Sequence, residues 1–103
     1  MITRKMVKNG YENGTIQLVK SPNKAPNMGG VVCKIGEYWF YFGGLTAEEY
    51  DSVEAYKADI PKRVILNDIY NTLKDFLHDS DLIDEYRYYE YYLKESERGR
   101  NEN

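Results

Sequence analysis

Two runs rich in β-branched and aromatic residues, Val31-Val32-Cys33-Lys34-Ile35 and Tyr38-Trp39-Phe40-Tyr41-Phe42, are separated only by Gly36-Glu37. So short a connection joins two strands as an antiparallel hairpin, and glycine in its first position suits a type II′ turn. The register follows directly. Ile35 stands opposite Tyr38, Cys33 opposite Phe40 and Val31 opposite Phe42. Because side chains alternate along a strand, these six share one face, the expected core face. Val32, Lys34, Trp39 and Tyr41 share the other, with Lys34 opposite Trp39. Gly43-Gly44 ends the hairpin, which spans 31–42.

The flanking sequence extends this sheet and then changes character. Thr15-Ile16-Gln17-Leu18-Val19 is short, β-branched and bounded by Asn13-Gly14 and Ser21-Pro22, which predicts another strand. Residues 3–7 are expected to pair with it across a loop holding Asn9-Gly10 and Asn13-Gly14. Residues 21–30 form a loop with Pro22, Pro26 and Gly29-Gly30 as breakers.

After the hairpin the spacing becomes helical. Thr46 with Glu49 forms a capping box, and Leu45 and Tyr50 stand at the staple positions around it. That helix ends before Asp59-Ile60-Pro61, and Pro61 belongs in the first turn of the next one. Ile65, Leu66, Ile69, Leu73, Phe76 and Leu77 then fall on one helical stripe, with Asp68, Asn71, Lys74 and Asp75 opposite. Asp79-Ser80-Asp81 breaks and recaps the chain. A last helix runs from about 82 to about 96, with Leu82, Tyr86, Tyr89 and Leu93 on one face. The polar residues 97–103 are expected to fray. The expected architecture is α+β: a small antiparallel sheet of three to four strands, including the hairpin, followed by three C-terminal helices. The 103 residues fit one domain, 1–103.

Several function classes lack their residues. The one cysteine, Cys33, allows neither an intramolecular disulfide nor a cysteine zinc site, and its mid-strand position on the core face makes it a buried hydrophobe. The one histidine, His78, is expected near a helix end, where an imidazole meets the C-terminal carbonyls. Asp79 and Asp81 beside it are natural helix caps and lack the glycine and glutamate of a calcium loop. No serine sits in a nucleophile elbow, and neither glycine pair belongs to a phosphate-binding fingerprint. The expectation is a chain that is not an enzyme and needs no cofactor or metal. No apolar run reaches the ~18 residues of a membrane span, and no secretory signal opens the chain, so a reducing cytoplasm is the expected setting.

Charge is divided unevenly. Residues 1–44 sum to +4 and residues 45–97 to −8, within a net charge of −3. Two candidate surfaces follow. On the last helix, Asp84, Tyr88, Tyr91 and Glu95 point away from the core face, with Glu85 and Tyr92 on the flank. An ordinary solvated face takes Lys, Glu or Gln, whereas tyrosine is enriched at interface hot spots. The surrounding carboxylates suit a larger partner protein with a basic surface. The alternative site is the basic sheet face, where Lys34, Trp39 and Tyr41 combine a cation with aromatic platforms, as RNA or single-stranded DNA binding requires. The acidic pI of about 5.2 weighs against nucleic acid as the main ligand.

In size, tyrosine content and acidic helical half, the chain resembles small accessory proteins of phages and mobile elements of Gram-positive bacteria, and among them the type II anti-CRISPR proteins. The resemblance lies in overall character along the whole chain and transfers no individual residue. It implies a non-enzymatic inhibitor that binds a CRISPR effector nuclease stoichiometrically, at basic channels built for guide and target.

Overall fold

The computed structural model describes residues 2–21, 30–40, 50–76 and 83–101, with 83–86 and 99–101 described by backbone only. Its class is α+β, with four helices and a three-stranded antiparallel sheet among the described residues. The order is α1 (Arg4–Asn13), β1 (Ile16–Lys20), β2 (Val31–Ile35), β3 (Tyr38–Phe40), α2 (Val53–Asp59), α3 (Lys62–Phe76) and α4 (Ile83–Asn101).

The first element corrects the sequence-based expectation. Residues 3–7 do not form a strand, and the helices are not all C-terminal, because α1 precedes the sheet. Thr3 is its N-cap, with Oγ1 accepting from the Met6 N–H at 3.1 Å. Gly14, at φ +89°, closes it in the left-handed conformation that a helix C-terminus favours. Between these caps Met6, Val7 and Gly10 lie buried on one side. Gly10 marks a close approach: a Cβ there would come within 3.1 Å of both Ile16 and Leu93. Thus the Asn-Gly pairs act as helix interior and helix cap, and neither makes a hairpin turn.

The hairpin forms as its residues require. β2 pairs with β3 with Ile35 opposite Tyr38, Lys34 opposite Trp39 and Cys33 opposite Phe40. Gly36 has φ +61° and no non-glycine among the described residues has positive φ, the sign pattern of a type II′ turn. β1 pairs with the other edge of β2, placing Leu18 opposite Cys33 and Gln17 opposite Lys34. The Ser21 N–H donates to the Gly30 carbonyl just beyond the paired residues, at 2.8 Å.

The core lies between the sheet and the helices. Ile16, Leu18, Val31, Cys33, Ile35 and Phe40 meet Met6 and Val7 of α1, Tyr56 of α2, Ile65, Ile69 and Leu73 of α3, and Tyr89 and Leu93 of α4. Val32 is also buried, although alternation puts it on the opposite face of the sheet. Ser52 caps α2, its Oγ accepting from the Ala55 N–H at 3.1 Å. Pro61 stands one position ahead of α3, where its carbonyl accepts from Ile65 at 3.1 Å. The final helix continues beyond 96 to Asn101. Buried Ser96 extends the inward stripe by another turn, and the Asn13 side-chain amide donates to its carbonyl at 3.2 Å. The capping box at Thr46 and Glu49, the strand end at Tyr41 and Phe42, and Leu77, His78, Asp79, Asp81 and Leu82 lie outside the described residues.

Candidate functional site

Helical periodicity sorts the tyrosines of α4 into three environments. Tyr89 is 1 % exposed and belongs to the core. Its neighbour Tyr88 is 51 % exposed and Tyr91, a turn further on, is 60 % exposed. Tyr92 is half-buried and packs against the core from the side. With Trp39 at 43 %, Tyr88 and Tyr91 are the exposed large hydrophobic residues among the described residues.

These residues gather around the hairpin. Tyr38, next to the turn, meets Tyr88 at 5.3 Å between ring centroids and Tyr89 edge-on at 5.4 Å. Tyr92 meets Tyr91 at 5.6 Å and lies directly over Gly36. A Cβ on Gly36 would stand 2.5 Å from Tyr92 Cε2, so only glycine permits this contact. On the outer face of the sheet the register aligns Gln17, Lys34 and Trp39 across the three strands. Lys34 Nζ lies 5.1 Å from the Trp39 ring centroid, a cation–π contact. A concavity of about 290 Å³ connects the two regions, lined by Thr15, Gln17, Lys34, Gly36 and Tyr92.

The two surfaces that the sequence presents as rivals therefore adjoin. Trp39 touches Lys34, Lys34 and Tyr92 line one concavity, and Tyr92 touches Tyr91. Tyr88 joins through Tyr38. Thr15, Gln17, Gly36 and Tyr38 are additions to the expected site. Their membership depends on the β1–β2 register and on how α4 crosses the hairpin, both of which are tertiary facts.

The acidic part of the predicted surface is more complex. Glu95 pairs with Arg98 three residues along the same helix, and Glu90 pairs with Lys94 at 3.1 Å. Local partners thus offset two carboxylates beside the tyrosines. Asp84 and Glu85 are on the first turn of α4, and their side chains, like Tyr41, lie outside the described residues. Lys34 makes no ion pair among the described residues, so the concavity has a cation in its wall.

Cys33 is 1 % exposed, and burial raises its thiol far above the ordinary range, the opposite of what a nucleophile needs. Among the described residues no group of three or more His, Cys, Asp or Glu side chains could hold a metal ion. No described helix is long and apolar enough to cross a membrane. Compared with protein-family models, curated proteins and solved structures, the chain matches none.

Proposed function

We propose that this protein is a non-enzymatic binding protein that acts by stoichiometric attachment to a larger protein, with Tyr88 and Tyr91 as its principal contacts. The observation that supports this reading is the exposure of both rings beside a buried neighbour. Folding places Tyr89 and Leu93 in the core and leaves Tyr88 and Tyr91 in solvent on a regular, well-anchored helix. Rigid tyrosines give contact area at small entropic cost, which is why they recur at interface hot spots. Tyr92, seated over Gly36, backs Tyr91, and Tyr38 backs Tyr88. Asp84 and Glu85 would add orientation toward a basic partner, with a smaller part for Glu95, which Arg98 already offsets. The finer proposal is that the partner is a bacterial nucleic-acid enzyme, specifically a type II CRISPR effector nuclease, which the bound protein inhibits.

The test uses a Tyr88→Ala/Tyr91→Ala double variant, which leaves the Tyr92 contact intact. Wild type titrated into a purified type II effector nuclease should abolish cleavage near equimolar ratio. The double variant should keep its thermal unfolding transition and bind at least about tenfold more weakly, as loss of an aromatic hot spot costs more than ~1.4 kcal/mol. Undiminished binding by the folded variant would remove this helix from the interface. Absence of any complex with wild type would reject the nuclease as partner.

A further inference from the structure

We propose that the concavity between Lys34 and Tyr92 seats one step of a single-stranded nucleic acid, a ligand distinct from the protein partner of Tyr88 and Tyr91. Three observations converge. First, the cavity wall contains one cation, Lys34, with the Thr15 hydroxyl, the Gln17 amide and the Tyr92 ring, and no described carboxylate. Second, its volume of about 290 Å³ is close to the lower end of small-ligand sites, roughly 300–1,000 Å³. Third, Trp39, though not itself in the wall, has its ring centroid 5.1 Å from Lys34 Nζ and remains 43 % exposed.

These groups match the chemistry of a nucleotide step. A phosphate needs a cation, which Lys34 supplies, in contact with Trp39 and in the same concavity wall as Tyr92. One base stacks on Tyr92 inside the concavity, and its neighbour stacks on Trp39. The Gln17 amide offers both donor and acceptor to a base edge, and the Thr15 hydroxyl does the same. Aromatic stacking tolerates any base, so this arrangement selects an unpaired strand over a duplex. A carboxylate from a peptide would use Lys34 but leave the two rings without planar partners. The acidic net charge weighs against an extended nucleic-acid surface, and the site proposed makes a single phosphate contact.

Trp39 is the sole tryptophan, so its emission reports binding directly. A hexauridylate oligonucleotide should quench it saturably, with log K falling against log salt at a slope of about −0.7, the value for one phosphate on a single strand. Lys34→Gln should weaken binding by about tenfold or more and flatten the slope, while Lys34→Arg keeps it. Lys5→Gln, the same charge change on the exposed side of α1, should have no effect. Thermal unfolding of each variant confirms that the fold is retained. Three results would overturn the proposal: no saturable quenching, Lys34→Gln binding like wild type, or a hexaglutamate peptide or inorganic phosphate binding as tightly as the oligonucleotide. Because Tyr88 and Tyr91 lie outside the concavity, failure here is distinguishable from failure of the protein-binding reading.

Discussion

Gly36 shows how much one position can hold. It carries the positive φ of the turn and leaves room for the Tyr92 ring, two requirements that no other residue satisfies together. Gly36→Ala should therefore lose roughly 1–3 kcal/mol, from the left-handed backbone cost plus displacement of the ring. Urea unfolding measures this, and an unchanged midpoint would show that Tyr92 does not cover the turn. Phe40 offers a larger effect. It is 3 % exposed and meets Tyr89 at 4.3 Å and Phe76 at 5.6 Å. Phe40→Ala should cost about 3–5 kcal/mol, as truncation of a core aromatic does. Both positions were legible in the sequence, Phe40 from alternation and Gly36 from the turn. The Tyr92 contact was not, because it depends on where a distant helix crosses.

At the scale of elements, legibility followed the range of the controlling interactions. The hairpin was readable because its register is local: a two-residue loop and a period of two fix it. The α3 stripe was readable for the same reason, with Ile65, Ile69 and Leu73 buried. The first helix was misread because Asn9-Gly10 and Asn13-Gly14 carry turn chemistry, whereas burial against Ile16 and Leu93 gives Gly10 a packing role. Its caps were nevertheless present in the sequence, as Thr3 before and Gly14 after. Thr3→Ala should lower stability by about 1 kcal/mol through loss of the Met6 N–H acceptor. Equal denaturation midpoints for the two proteins would rule out a contributing cap. Of the expected partner surface, Tyr88 and Tyr91 are exposed as the wheel predicts. Glu95 has its charge paired within the helix, which a wheel does not weigh.

Across the whole molecule, buried titratable groups set an alkaline limit. Burial, with Asp68, Tyr11 and Tyr50 adding to it, pushes the Tyr56 phenol from 10.0 up to about 12. Burial likewise raises the Cys33 thiol above 9.0. Above those ordinary values the unfolded chain releases protons that the folded chain retains, so stability must fall with rising pH. The midpoint of thermal unfolding should be insensitive to these groups below about pH 9, then decline, with the Tyr56 contribution lost between 10.0 and about 12. Cys33→Ala should move the onset toward pH 10. An onset unchanged by that variant would exclude the thiol as a cause. Tyr92 has a different consequence for the whole molecule. It lines the concavity and also meets the Tyr91 ring, so the proposed oligonucleotide and the proposed protein partner, if both bind, would act on the same ring. Linkage then makes their influence reciprocal: whatever factor an oligonucleotide applies to protein affinity, the protein must apply to oligonucleotide affinity. On those two proposals the hairpin turn would be a thermodynamic junction, at which occupancy of one surface enters the affinity of the other.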